Sequence, residues 1–240
     1  MATENHRTVF VAGATGAIGQ VLCRLLVQDG WQVVGSTRSM ENAERLRQMG
    51  VQPAIVDVYD RDALIEAVCS AKPDVVVHQL TDLPKEFSAE AMAAARVRNA
   101  RIREVGTEHL VAAALASGAK RIVAQSIAFA YVQNAQPCTE EAPLDGAAYP
   151  SVIRLEQLVL GSGLEAIVLR YGRLYGPNTW TMLPPEQAPV HVDAAADAAR
   201  FAMTHGETGI YNIVENDDAV LSAKARQCLK WNPDFRCPAA

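Results

Sequence analysis

The stretch TVFVAGATGAIGQVLCRLLVQ, residues 8–28, decides the fold. Its first five residues, Thr8–Ala12, form a short apolar run with the Val and Phe content of a strand. Over residues 17–28, Ile18, Val21, Leu22, Leu25 and Leu26 recur at helical spacing and give a helix one apolar side. Between them lies Gly13-Ala14-Thr15-Gly16-Ala17-Ile18-Gly19. Gly13 and Gly16 let the backbone turn and approach a pyrophosphate, and Gly19 lets the helix pack closely on the strand. The helix N-terminus adds free N–H groups and the positive end of its dipole. Gly13, Thr15, Gly16, Ala17, Ile18 and Gly19 are the expected phosphate-binding residues, unless the turn is merely a structural one.

The alternation continues outward. WQVVG (31–35), VQPAIV (51–56), DVVVH (74–78), KRIVAQS (120–126) and LEAIVLR (164–170) read as strands. Residues 41–49, 61–71, 88–117 and 150–160 read as helices, the third long and Ala-rich. Strands alternating with helices imply parallel pairing through right-handed crossovers. The expected fold is therefore α/β, a doubly wound parallel sheet of Rossmann type over residues 1–170. After that, Gly and Pro break 171–189 into loop, 193–203 reads as a helix, 209–214 as a strand, and the rest as a polar tail. Residues 171–240 are expected to form a small substrate-binding lobe within the same compact domain. In such sheets ligands lie beyond the carboxyl ends of the strands, so the residues that follow each strand matter most.

Half of the 240 residues are hydrophobic, a fifth are charged, and the net charge is −5. That is a soluble globular composition. It disfavours nucleic acid and anionic membrane, both of which need a positive patch. No apolar run approaches the ~18 residues of a membrane span. The polar start MATENHRT does not read as a signal peptide, so the expected location is cytoplasmic. The cysteines Cys23, Cys69, Cys138, Cys228 and Cys237 show no CxxC or zinc spacing, and no metal is expected.

The second strand ends in Gly35-Ser36-Thr37-Arg38. An NAD site usually places an acid there for the ribose 2′-OH. Arg38 would instead pair with a 2′-phosphate, helped by Ser36 or Thr37, so NADP(H) is favoured over NAD(H). Alternatively Arg38 is a solvated surface charge. After the third strand, Asp57 and Val58 stand where an adenine would be held, although Asp57 also suits a cap in the Asp60 turn. Gln79, Leu80 and Thr81, after the fourth strand, are expected to line the cofactor.

Seven segments in order match a known pattern: GATGAIG (13–19), IVDVYD (55–60), PDVVVHQLT (73–81), GTEHLVAAALASGAKRIVAQS (106–126), LEQLV (155–159), LRYGRLYGP (169–177) and HVDAAADAA (191–199). The chain resembles the extended branch of the short-chain dehydrogenase/reductase superfamily, which includes NAD-dependent epimerase/dehydratases. The resemblance implies a bound dinucleotide and chemistry by Ser or Thr, Tyr and Lys. The tyrosine exchanges a proton with substrate, and a lysine at i+4 on the same helix face lowers the phenol pKa.

Here the lysine is missing. Four residues after Tyr149 comes Ile153; aligned on Glu156, the tyrosine and lysine positions are Ala148 and Val152. Arg154, at i+5, is turned about 100° further round and cannot relay a proton. Ser126, Tyr131 and Tyr149 remain as catalytic candidates; the alternatives are a strand-end cap for Ser126, a packing residue for Tyr131 and a partly exposed loop tyrosine before a proline for Tyr149. The resemblance places Arg170 beside the nicotinamide. Arg173 follows either as a binder of an anionic or polar substrate or as a structural ion-pair partner. The 178–190 loop, with Trp180 and Met182, is a lid candidate, and His191 and Asp193 read as packing residues, with titration near the site as the alternative for His191.

The expected function is an NADP(H)-dependent oxidoreductase acting on a small carbonyl, enone or alcohol. The short stretch after residue 170 speaks against a nucleotide sugar. The alternatives are an epimerase or dehydratase with transient oxidation by tightly held NAD(P), and a non-catalytic dinucleotide sensor. Helices 88–117 and 150–160 resemble the pair that joins a homodimer in relatives.

Overall fold

A computed structural model describes residues 7–84, 86–132 and 137–238; the stretch 1–6, which the leader reading concerns, lies outside them. The first half alternates strictly: β1 (Thr8–Ala12), α1 (Ala17–Gln28), β2 (Gln32–Thr37), α2 (Met40–Gln48), β3 (Gln52–Ile55), α3 (Arg61–Ala71) and β4 (Val75–His78). Then come α4 (Ala89–Arg101), a π-helical turn (Ile102–Gly106), α5 (Thr107–Ser117), β5 (Arg121–Ile127), α6 (Pro150–Leu160) and β6 (Glu165–Tyr171). The remainder forms β7 (Arg173–Tyr175), β8 (Pro189–His191), α7 (Val192–Ala202), β9 (Gly209–Ile213) and α8 (Ala223–Cys228).

Seven strands form one parallel sheet in the order β3-β2-β1-β4-β5-β6-β9. The order reverses between β1 and β4, so the crevice for a ligand opens past Ala12 and His78, which face each other in register. Covered on both faces, the inner strands are largely apolar. Val9, Val11, Val75 and Val77 pack with α1 and α7 on one side. Phe10, Val34 and Val76 pack with Leu64 and Val68 of α3 and Leu110 of α5 on the other.

Four expectations are corrected. The single helix expected over 88–117 is two helices joined by the π turn. There the buried Gly106 passes Val58 so closely that an added Cβ would lie 3.4 Å from it. Thr107 reaches back to the Ile102 carbonyl (3.5 Å), and its hydroxyl meets His78 Nε2 at 3.0 Å. The sheet also does not end at residue 170: β9 joins it beside β6, and α7 covers the same face as α1. The 171–189 loop contains β7, paired in parallel with β8. The tail is not only polar, because Trp231 is buried and donates its indole N–H to the Ala194 carbonyl at 2.8 Å. Among the described residues no helix is long and apolar enough to cross a membrane.

Candidate active site

The cradle between β1 and α1 is made of backbone. Gly13 has φ +91°, and an added Cβ would lie 2.6 Å from the Gln79 carbonyl, so only glycine fits. A Cβ on Gly19 would collide with the Gly13 carbonyl oxygen. Gly16 is the N-cap of α1 in extended conformation; no side chain caps it, and the first turn carries no acid. The orphan N–H groups of that turn are therefore left for an anion. Thr15 and Ala17 are half-buried around it. The Thr15 carbonyl accepts from Gln20 Nε2 at 2.8 Å, and the Ile18 side chain goes into the core. Across the crevice, Gln79 is buried; its amide donates to the Tyr171 hydroxyl at 3.1 Å, while its Oε1 has no partner. These features fit a dinucleotide: uncapped N–H groups for phosphate, a glycine wall for close approach, and an unmet acceptor on the facing strand end.

The other expected cofactor residues lie around this crevice. Arg38 is exposed just past β2, and Ser36 and Thr37 are buried. The Thr37 hydroxyl accepts from the Ser39 N–H at 3.3 Å, and Ser39 caps α2. Asp57 is exposed and its Oδ1 accepts from the Tyr59 N–H at 3.0 Å, while the N-cap of α3 is Asp60. Val58 is buried against the π turn. The Leu80 carbonyl accepts from Gln125 Nε2 at 2.6 Å, and Thr81 is exposed. Sequence reasoning missed Arg101, whose guanidinium stacks 4.1 Å from the Tyr59 ring centre. Arg38 is also among the charges acting on that phenol, which burial pushes up.

His78 ties the crevice to the π turn. Its Nδ1 accepts from the Leu80 N–H at 3.2 Å, so the ring proton sits on Nε2, facing Thr107. Complete burial, helped by the charge of Arg103, lowers its pKa to about 4. The imidazole is neutral.

At the ends of β5 and β6 a buried polar network occupies the expected catalytic groups. The Ser126 hydroxyl donates to Glu156 Oε1 at 2.6 Å. Glu156 and Arg170 form a two-pronged ion pair, Nε to Oε1 at 2.8 Å and Nη2 to Oε2 at 2.7 Å. Arg170 Nη1 donates to the Tyr131 hydroxyl (3.0 Å) and to the Glu140 carbonyl (3.1 Å). The Tyr131 hydroxyl in turn donates to Asn212 Oδ1 at 2.6 Å. Asn212 is held from β9, its N–H donating to Glu140 Oε1 at 2.8 Å. Burial disfavours the Arg170 charge, but the hydrogen bonds and charge of Glu156 more than offset this and hold its pKa above the usual arginine value. Burial likewise pushes the Tyr131 phenol up, against the pull of Arg170.

This corrects the contact expected of Arg170, whose nitrogens are committed inside the network instead of facing a cofactor. It also corrects Tyr131 as proton donor, since its hydroxyl proton points at Asn212. Glu156 carried a signal that could have found the network. It lies on the buried face of α6 with Val152, Leu155 and Val159, and a carboxylate there requires a partner.

Tyr149 stands apart from this network. It caps α6 ahead of Pro150, and its own N–H donates to the Asp145 carbonyl at 2.8 Å. With Phe129, Tyr131, Val132, Asp145 and Ala148 it lines a cleft of about 460 Å³. Among the described residues its hydroxyl has no hydrogen-bond partner. The charges acting on Arg103 of the π turn include Tyr149, and α6 packs against that turn. Arg173 holds its guanidinium 4.6 Å from the Phe129 ring centre. In the 178–190 loop, Trp180 donates to the Pro84 carbonyl at 2.9 Å and meets Phe87 edge-on, bridging to the segment after β4. His191 packs edge-on to Tyr175 and accepts from the Asp193 N–H at 3.2 Å.

The model of the NAD dependent epimerase/dehydratase family matches residues 9–189. A Streptomyces protein named 3-diazoavenalumate denitrifying reductase is 38% identical over 249 residues, covering 97% of this chain and 78% of its own length. A Stigmatella aurantiaca protein, 4-hydroxy-2-methyl-3-oxo-4-farnesyl-3,4-dihydroquinoline-1-oxide ketoreductase, is 31% identical over 73% of this chain and 52% of itself, so this chain spans about half its length. Among solved structures, the UDP-glucose 4-epimerase of Thermotoga maritima superposes with a TM-score of 0.74 at 19% identity, covering 95% of this chain and 94% of its own. Pal from Bacillus thuringiensis superposes with a TM-score of 0.77 at 17% identity, covering 95% of each chain. At such identities the likeness is one of fold.

Proposed function

For a chain that belongs to the NAD dependent epimerase/dehydratase family, and is thus an NAD(P)-dependent enzyme of oxidoreductase type, we propose a reductase. It takes hydride from NADPH to a small conjugated electrophile that needs no proton from the protein. One observation carries this reading. The hydroxyls at the end of β5 are committed to a buried ion-pair network, and α6 has no lysine to serve Tyr149.

A carbonyl that accepts hydride must also gain a proton on oxygen. An aryl diazonium need not. Hydride forms the new C–H bond, the C–N bond breaks, and its electron pair leaves with neutral dinitrogen. The 38% identical relative is named for a denitrifying reduction of a diazo compound. We carry that reaction class to this chain, with a diazo-substituted conjugated acid as substrate. The bound nicotinamide supplies the hydride. Gly13, Gly16 and the first turn of α1 hold the pyrophosphate, and Arg38 holds the 2′-phosphate. The Phe129–Tyr149 cleft holds the substrate between its aromatic side chains.

A second reading keeps a carbonyl or enone as substrate, with Tyr149 as the acid. Its free hydroxyl in the cleft favours this. Reduced-cofactor oxidation, followed by absorbance with each substrate class, separates the two. The first reading expects turnover of the diazo compound, dinitrogen release, and a Tyr149→Phe rate within about two-fold of wild type. A ketone substrate with a Tyr149→Phe loss of about 100-fold or more supports the second, since general acid catalysis is worth that much. Dinucleotide binding with no turnover of either class leaves the sensor reading. The proposal includes a homodimer through α4, α5 and α6, where Val97 and Leu115 are 73% and 50% exposed, in a cytoplasmic setting. A light-scattering mass of one chain would remove the dimer.

A further inference from the structure

Four arginines are drawn from full exposure among the described residues: Arg103, Arg121, Arg170 and Arg200. Three hold a carboxylate, namely Glu165, Glu156 and Asp197. Arg103 holds none, and among the described residues it makes no hydrogen bond either. A half-buried guanidinium without an anion is costly to leave unmet. Arg103 sits in the π turn between α4 and α5, and π turns in helices concentrate at functional sites. The turn packs against α6, and the groups in the Arg103 field are Tyr149 and His78. His78 is neutral and its two nitrogens already have partners, so it cannot be the missing anion.

Tyr149 opens onto the cleft, whose walls include the rings of Phe129, Tyr131 and Tyr149. Its one acidic lining residue, Asp145, accepts through Oδ1 from the N–H groups of Ala147 and Ala148, both at 3.1 Å. A second guanidinium, Arg173, lies over Phe129 with no carboxylate partner among the described residues. Aromatic walls suit a flat ring. Two guanidinium groups without a carboxylate partner among the described residues, Arg103 on the turn that packs against α6 and Arg173 over Phe129, suit a planar anion, because the fork of N–H donors matches a carboxylate.

We propose that Arg103, with Arg173 at the rim, binds the carboxylate of a planar aromatic or conjugated acid seated against Phe129 and Tyr149. This rests on the reductase reading for the chemistry done to that acid, but the recognition is read without turnover. Calorimetric titration of the full chain with cinnamate and with cinnamamide provides the test, alongside NADPH titrations. The expected result is that wild type binds cinnamate about ten-fold or more tighter than the amide, as a charge-assisted pair would give. Arg103→Met abolishes that preference, Arg103→Lys restores part of it, and Arg173→Met reduces it several-fold. NADPH affinity stays within about two-fold in all three. Circular dichroism establishes that Arg103→Met is folded, and Arg173→Met, altered at the surface, gives an independent reading.

Equal binding of acid and amide by wild type, or binding of neither, overturns the proposal. So does an Arg103→Met loss that falls equally on the amide, or one that falls on NADPH instead. Selectivity for cinnamate without any reductase activity would sink the function above and leave this site standing.

Discussion

The crevice at β1 and the polar network at β5–β6 lie at the same edge of one sheet and are built by opposite means. At β1 the binding groups are backbone N–H groups and glycines whose missing Cβ makes room. Everything needed falls within seven consecutive residues. At β5–β6 the groups are side chains from five separate places: Ser126, Tyr131, Glu156, Arg170 and Asn212. The first region is a rule about local geometry. The second is a set of long-range pairings in which each polar group is tolerable only because the others are present.

The largest way to break that contrast is to remove Glu156. Glu156→Ala leaves the Arg170 charge buried alone, and the expected loss is about 3–5 kcal/mol in urea unfolding. Glu156→Met with Arg170→Met should recover most of it, because a well-packed apolar pair avoids the desolvation cost. A loss under about 1 kcal/mol for the single change would mean that the network is not structural and that Ser126 is free for chemistry.

A second effect, of about 3 kcal/mol, tests the joint between the two regions. Burial holds His78 near 4 when folded, against 6.5 as its ordinary value, and Arg103 adds to that shift. The unfolded chain therefore takes up the proton first as pH falls. His78 contributes full stability above pH 6.5, and that contribution drains away as pH drops from 6.5 toward 4. His78→Gln should flatten this part of the profile relative to wild type. Identical pH dependence in the two proteins would show the ring to be more solvated than its packing implies.

The smallest effect sharpens the crevice side. Arg38→Met should weaken NADPH by about 10- to 100-fold and leave NADH unchanged, as expected for loss of one charge-assisted contact to the 2′-phosphate. Fluorescence titration reads it. If the wild type binds NADH more tightly, Arg38 is a solvated charge and the cofactor preference reverses.

The glycine cradle and the run of apolar strands were legible from the chain, because each depends on spacing within a short window. The π turn was not legible. A long Ala-rich segment has helical propensity throughout, and only the meeting of Gly106 with Val58 and of Thr107 with His78 marks the break. The place of β9 was also hidden, since GIYNIV reads as a strand whichever neighbour it finds. Ser126 and Tyr131 were found as residues, but what their hydroxyls do depends on Glu156 and Asn212, 30 and 81 residues away.

The sequence by itself determined a doubly wound sheet with a dinucleotide crevice, and it showed that α6 lacks its lysine. Local backbone sterics and hydrophobic period are properties of neighbours in the chain. Tertiary structure alone decided that Arg170 is sealed into an ion pair while Arg103 has none among the described residues. As letters, one ends an apolar strand-like run and the other sits in a helical stretch, and neither shows its partner. The difference is which carboxylate the fold brings within 3 Å, and burial makes that difference large, because a low-dielectric interior strengthens a paired charge and penalises an unpaired one.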